Sequence, residues 1–286
     1  LLGRLLPRLR AEGFTHLAAE AFADTAAGLR AGDQVGREHG WYLNDPVFAE
    51  AVRQALELGY RLIPYEQRPD QRSGEASLSN AATMVREQAQ ADNLTAAMAA
   101  EPGMRVLVFV GYGHLREAGP AFGGRFKRDT GIDPLTIGQA GTGSFGPHVE
   151  NAPPVQALLE RFRPTAPVVL LKAGTRPSSA VDDAGLTAEE TDLLVLHPSL
   201  PDVAGRPAWL ATDPARRRLD VAVPAGDERP RLLQAVHATD VDPAIPADQL
   251  MVGRDGGAVT LFLRPGRYRI RLETLDGFTP LGERQV

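Results

Sequence analysis

Short apolar segments typical of β-strands alternate with helical segments through the first half of the chain. The strand-like segments are FTHLAAE (14–20), YRLIPYE (60–66), RVLVFVG (105–111) and IDPLTIGQ (132–139). Strands that alternate with helices are typical of a parallel sheet, because parallel neighbours need a crossover connection between them. The pattern therefore predicts an α/β fold, in which a mostly parallel sheet is flanked by helices.

The character of the sequence changes after residue 140. A loop rich in Gly and Pro (140–154) is followed by short strand-like pieces that Pro, Gly and Asp separate. We expect PVVLL and DLLVLH to complete or flank the main sheet. The change predicts an α/β domain over residues 1–204 and a small, β-rich, sandwich-like domain over residues 205–286.

Within this second domain, residues 258–274 predict two strands joined by a turn at residues 264–266. The alternation along both strands predicts one apolar face that packs on a small core. The residues of that face are Val259, Leu261, Leu263, Tyr268, Ile270 and Leu272. The arginines that alternate with the apolar residues of the second strand, Arg267, Arg269 and Arg271, are expected to be solvated.

Composition excludes several classes of site and partner. The formal net charge is −5 with both signs interspersed, which argues against a nucleic-acid partner. The chain has no cysteine, which excludes disulfides, thiolate metal sites and cysteine nucleophiles. No apolar run approaches the roughly 18 residues of a membrane-spanning helix. We therefore expect no transmembrane segment and a small-molecule or peptide substrate.

Acidic or imidazole side chains follow three of the predicted strands. Glu20 and Glu66 end the first two, and His114 follows the third in the sequence GYGH (111–114). The carboxyl ends of parallel strands share one edge of a sheet, where ligands bind. Two carboxylates and an imidazole can share a divalent metal or divide general acid and base roles. The alternatives are a cap for either glutamate and a core histidine bonded to a backbone carbonyl.

Other residues are candidates for the same pocket. Arg86 and Asn93 are seven residues apart on one predicted helix face, where Arg86 can hold an anion or orient a glutamate, or simply be solvated. Trp41 is a candidate for the rim of the pocket, with surface packing as the alternative. His148 lies in a Gly/Pro loop that can act as a lid or be solvated. The two glycines of GYGH predict a close approach of backbone to a ligand, or a positive φ.

The order of these motifs resembles the superfamily of erythromycin esterase, ChaN-like haem-binding lipoproteins and Tiki/TraB proteins. A strand ending in Glu, a strand ending in Tyr-Glu, a helix with Arg and Asn, and VGYGHL carry the resemblance over about the first half of the chain. GYGH (111–114) looks like the second of the two Gly-x-x-His motifs in that superfamily, Glu20 like its strand-end acid and Arg86 like its helix arginine. The first motif would precede Leu1, so we expect an N-terminal strand upstream.

The resemblance implies a hydrolase of ester, lactone or peptide bonds that uses Glu20, Glu66, Arg86 and His114. In its metal-dependent form Glu20 and His114 would bind Mn, Co or Zn, and the esterase branch implies a form without metal. The ChaN branch implies the alternative of a non-catalytic haem- or small-ligand-binding protein, with Tyr112 and His114 as axial ligands. Relatives are often exported, which implies a periplasmic or secreted location. A third alternative is a catalytically silent scaffold.

Overall fold

The structure is a computed structural model, and it describes all of the 286-residue chain except residues 75–78, 141–152, 171–190, 200 and 228. The fold mixes α-helices with β-sheets, as predicted. Two compact units are formed. The first contains residues 1–15, 21–62 and 200–286, and the second contains residues 16–20 and 63–199. This division differs from the predicted one, because residues 200–286 belong to a unit that also contains most of the first 62 residues.

The described helices differ in length from one to about six turns. The α-helices are α1 (Leu2–Ala11), α2 (Pro46–Glu57), α3 (Asn80–Ala100), α4 (Phe122–Thr130), α5 (Pro153–Phe162) and α6 (Ala208–Ala211). In these described ranges, none of the helices combines the length and the apolar character that crossing a membrane requires. The long helix α3 is capped by Ser79, which precedes it and whose side chain accepts a hydrogen bond from the backbone N–H of Ala82.

The strands are short in the first half of the chain and longer near its end. They are β1 (His16–Ala19), β2 (Arg61–Pro64), β3 (Val106–Phe109), β4 (Ile137–Ala140), β5 (Val168–Leu170), β6 (Leu193–Leu196), β7 (Arg217–Val223), β8 (Arg231–His237), β9 (Asp248–Val252), β10 (Gly257–Leu263), β11 (Arg267–Thr274) and β12 (Gly277–Gln285).

The strands of the first half are divided between two sheets. One has the order β2-β1-β3, with β1 parallel to β3 in a register that places His16 beside Val106 and Ala19 beside Phe109. The other has the order β4-β6-β5, with β6 parallel to β4 and antiparallel to β5. We expected β5 and β6 to complete or flank the main sheet; they do not complete the β2-β1-β3 sheet and instead form a sheet with β4. An apolar pattern specifies that a strand is buried but does not specify its neighbour.

The β2-β1-β3 sheet carries a core that helices α3 and α4 cover. Ala18 of β1 packs in one cluster with Tyr65, Leu94 of α3 and Phe122 of α4. The rings of Tyr65 and Phe122 stack with their centroids 5.1 Å apart. This packing holds α3 beside the ends of the strands, where the charged residues described below lie.

The C-terminal strands form two antiparallel sheets. Their orders are β12-β11-β8-β9 and β10-β7. The predicted apolar core is confirmed, because the six apolar residues of β10 and β11 pack in one cluster. The two predicted strands, β10 and β11, follow each other in the chain but have other partners, since β10 pairs with β7 and β11 with β8 and β12. Arg271 also departs from the predicted solvated face: it is buried, and its guanidinium bonds to Gln234 and Asp242.

Ion pairs from α2 explain why the first unit joins distant parts of the sequence. Arg53 donates a hydrogen bond to Asp240 over 3.0 Å. His237, at the end of β8, places its Nε2 atom 3.2 Å from Glu50 Oε2. Glu50 is buried, and His237 together with Arg53, whose Nη1 atom lies 3.7 Å from Glu50 Oε2, replaces the water that its carboxylate loses.

We expect Gly40→Ala to lower the free energy of unfolding by about 2 kcal/mol or more. Gly40 has φ +153°, and a Cβ atom there would lie 1.9 Å from the carbonyl oxygen of Ala21. Chemical denaturation of both proteins measures the effect. Gly28→Ala is the matched control, since its Cβ would meet no atom within 4 Å. Equal losses in the two variants would contradict the argument from this close approach.

Candidate functional site

The strands of the β2-β1-β3 sheet deliver three ionisable side chains to one place. Glu20 directly follows β1, Glu66 comes two residues after β2, and His114 closes the 3-10 turn Tyr112–His114 that follows β3. Glu20 Oε2 lies 3.1 Å from His114 Nε2. Arg86 forms ion pairs with both glutamates. The three side chains therefore meet at the ends of their strands, where the sequence placed them.

Arg86 of α3 is the centre of the cluster. Its Nε and Nη2 atoms donate to the two carboxylate oxygens of Glu66 over 2.8 and 2.6 Å, and Nη2 also lies 3.2 Å from Glu20 Oε2. The hydrogen bonds with Glu66 raise the pKa of Arg86 above its ordinary value despite partial burial, so it stays a cation. Its Nη1 atom lies 3.4 Å from His114 Nε2. The Arg86 side chain as a whole is 37% exposed, so it is not sealed from solvent.

His114 is held between two carboxylates. Nε2 faces Glu20, and Nδ1 lies 2.7 Å from Glu87 Oε1, a close contact whose angle falls outside the usual hydrogen-bond range. Burial of the ring disfavours its charged form, but the contacts with Glu20 and Glu87 outweigh burial and raise the pKa of His114 to about 9. The ring is therefore an imidazolium at neutral pH.

Glu20 is ionised beside this imidazolium. Burial alone would raise the pKa of Glu20, but the hydrogen bond with His114, the backbone N–H of Gly111 and the charge of Arg86 lower it overall. Gly111 donates to Glu20 Oε1 over 2.9 Å. A Cβ atom on Gly111 would lie 3.0 Å from that oxygen, so the close approach predicted for this glycine is to Glu20. The alternative of a positive φ at Gly111 or Gly113 is wrong.

Two buried residues of the site were missed in the sequence. Glu87, which contacts the far side of His114, and Gln90, which donates to Glu66 Oε2 over 2.9 Å, both lie on α3. The structure shows that Glu87, Gln90 and Asn93 of α3 are buried, although polar residues are mostly exposed on helices. From sequence alone such residues look like an ordinary solvated helix face.

The remaining predicted residues lie around this cluster or away from it. Asn93 is buried, and its amide donates to the backbone carbonyls of Tyr65 and Glu66, so it shapes the chain after β2. Tyr112 is 73% exposed, two residues before His114. Trp41 belongs to the first unit and is 81% exposed. His148 lies outside the described residues.

The donor atoms of the cluster are engaged with one another, which does not suit the metal ion that the resemblance implies. A histidine binds a metal through a ring nitrogen that carries no proton, and each ring nitrogen of His114 already has a carboxylate beside it. Both oxygens of Glu20 already accept from Gly111, Arg86 or His114. In the described part of the chain, no group of three or more His, Asp or Glu side chains is placed to hold a metal ion.

Neither the known family models nor the curated proteins give a match to this chain. The case for a function therefore depends on the geometry and charges of the cluster at the strand ends. That cluster combines a fixed guanidinium, an imidazole with a raised pKa and three carboxylates. Such groups can transfer protons and stabilise a developing negative charge.

Proposed function

We propose that the protein is a hydrolase of ester, lactone or peptide bonds that works without a metal ion. The observation that carries the proposal is the juxtaposition of His114 Nε2 and Arg86 Nη1, which lie 3.4 Å apart. A proton acceptor and a fixed cation that lie side by side can serve one reacting water and one carbonyl group. The proposed site lies at the carboxyl ends of the strands in the β2-β1-β3 sheet.

In the proposed mechanism, neutral His114 is the general base. A water molecule attacks the carbonyl carbon and gives its proton to Nε2, and the carbonyl oxygen becomes an oxyanion beside Arg86 Nη1. The tetrahedral intermediate then collapses, the bond to the leaving oxygen or nitrogen breaks, and the imidazolium returns its proton to that leaving atom. Glu66 and Glu20 hold Arg86 in place through the ion pairs described above.

A general-base role for His114 sets the pH dependence that we expect. The base must be neutral, and the pKa of His114 is raised to about 9, so only a small fraction is active at pH 7. We predict that kcat/KM rises about tenfold per pH unit up to this pKa and is constant above it. Initial rates from pH 6 to 10.5 measure the profile. A rate that is flat across this range would instead assign the base to a glutamate.

The activity itself is tested with the full chain and a panel of substrates. Purified protein is assayed at pH 9.5 against p-nitrophenyl esters, simple lactones and a labelled peptide mixture, with EDTA and with added Mn²⁺. We expect hydrolysis of at least one class in EDTA and its loss in His114→Ala. No hydrolysis under either condition would sink the proposal. Activity only with Mn²⁺ would favour the metal-dependent form, with Glu20 and His114 as ligands.

The second candidate is a haem- or small-ligand-binding protein without catalysis. The exposure of Tyr112, two residues before His114, favours it, since an accessible phenol can approach a planar ligand. Haem titration gives the decisive result: a Soret band that is lost in His114→Ala supports this candidate, and a flat titration excludes it. The position of Arg86 beside Nε2 of His114, with a carboxylate near each ring nitrogen, makes hydrolysis the better supported proposal.

We propose a distant relationship to the erythromycin esterase, ChaN-like and Tiki/TraB superfamily, supported by the order of motifs that meet in the cluster. We also propose that a parallel sheet is the principal element that bears the site, and that the C-terminal part of the chain is a β-rich domain. The proposed substrate is a small molecule or peptide rather than a nucleic acid, because the cluster exposes a single guanidinium instead of a basic surface.

A further inference from the structure

Glu87 occupies a position that the proposed mechanism does not yet use. It directly follows Arg86 on α3, yet its side chain is only 8% exposed. Its Oε2 atom accepts a hydrogen bond from the backbone N–H of Phe122, at the start of α4, over 2.5 Å. Its Oε1 atom lies 2.7 Å from His114 Nδ1. The carboxylate of Glu87 therefore contacts both the backbone of α4 and the ring of His114.

The two nitrogens of His114 have different surroundings because of this contact. Nε2 lies on the side of Arg86 and Glu20, where the proposed reaction takes place. Nδ1 lies on the opposite side of the ring, is fully buried and has Glu87 Oε1 2.7 Å from it. Each nitrogen has a carboxylate beside it, but Glu87 lies 2.7 Å from Nδ1 whereas Glu20 lies 3.1 Å from Nε2, and the guanidinium of Arg86 lies within 3.4 Å of Nε2. A carboxylate favours a proton on the nitrogen it faces and a cation favours a lone pair there, so these surroundings favour the proton on Nδ1 and leave Nε2 as the acceptor.

We propose that Glu87 is a positioning residue that keeps the proton of neutral His114 on Nδ1 and thereby presents Nε2 to the substrate. The effect of Glu87 on catalysis rests on the proposed hydrolase function, whereas its effect on which nitrogen of His114 carries the proton does not. Glu87 contacts no reacting atom in this scheme. It acts through His114, whose orientation it fixes against the backbone of α4.

The ring itself provides a direct measurement. The full chain is labelled with ¹⁵N-histidine, and the His114 nitrogens are recorded at pH 10.5, where the ring is neutral. We expect wild-type protein to show the Nδ1–H form, and Glu87→Ala and Glu87→Gln to show a mixture in which Nε2–H gains. The resonance is assigned with His114→Ala. An unchanged His114 spectrum in both variants would overturn the inference.

Kinetics at the same pH separate positioning from a general structural effect. We expect Glu87→Gln to lower kcat at least about tenfold with little change in KM, and Glu87→Asp to recover part of the loss. The matched control is Glu101→Gln, at the end of α3, which removes a carboxylate 3.8 Å from His16 Nε2. It should change neither kcat nor the His114 signals.

The possible failures are distinguishable. A wild-type protein that hydrolyses nothing refutes the proposed function, while the ¹⁵N spectra still decide whether Glu87 sets the form of the ring. Wild-type activity with unchanged kcat in Glu87→Gln refutes the positioning role alone. Glu87→Gln keeps the size of the side chain, so it covers the case in which Glu87→Ala does not fold.

Discussion

Replacing Arg86 by methionine is expected to lower kcat/KM about 10²–10³-fold, the loss that follows removal of one donor to a developing oxyanion. Methionine keeps an unbranched side chain on α3 but removes every N–H that faces Glu20, Glu66 and the proposed carbonyl oxygen. Arg86→Lys should recover only a small part, because an ammonium group cannot pair with both oxygens of Glu66 and still reach the substrate. Steady-state rates at pH 9.5 measure both effects.

A matched arginine outside the cluster controls for the general loss of a charge. Arg128→Met removes an exposed guanidinium of α4 that pairs with Asp129. It should leave kcat/KM within about twofold of wild type, since an exposed ion pair contributes at most about 1 kcal/mol to stability. If Arg86→Met kept full activity on a substrate that His114→Ala does not hydrolyse, Arg86 would have no role in stabilising the transition state.

Removal of one partner of a buried ion pair in the first unit should have the largest effect on stability. Asp248 and Arg206 form two hydrogen bonds of 2.5 and 3.0 Å, and their side chains are 4% and 7% exposed. Asp248 also accepts from the backbone N–H of Phe262 over 2.7 Å. Asp248→Ala leaves the guanidinium buried without its carboxylate, so we expect a loss of about 3–5 kcal/mol in the free energy of unfolding.

Urea denaturation of the variants measures this loss. Glu283→Gln is the control, because the pair that Glu283 forms with Arg267 is exposed and should contribute at most about 1 kcal/mol. The double variant Arg206→Met/Asp248→Leu should recover much of the stability, since apolar side chains carry no buried charge. A loss below about 1 kcal/mol in Asp248→Ala would show that water reaches Arg206.

The principal site residues were predictable from sequence for a simple reason. Parallel strands end at a common edge, so acids or imidazoles that follow several strands are brought together whatever the details of packing. That rule alone was enough to predict that Glu20, Glu66 and His114 lie close together. Arg86 needed one more step, its helical spacing from Asn93, and the structure places it against both glutamates. The apolar core of the last strands followed from alternation alone.

Which strands pair, and which side chains are buried, could be learned only from the tertiary structure. The alternation of apolar residues shows which face of a strand is buried but not which strand lies beside it. It therefore could not predict that β6 pairs with β4 or that β10 pairs with β7. The role of Glu87 was equally hidden, because burial and its two contacts arise only when α3, α4 and the turn after β3 pack together. Local sequence determines what each segment can form and which face is apolar. Long-range packing alone decides which charges lose water and face each other, and so it decides the protonation of His114.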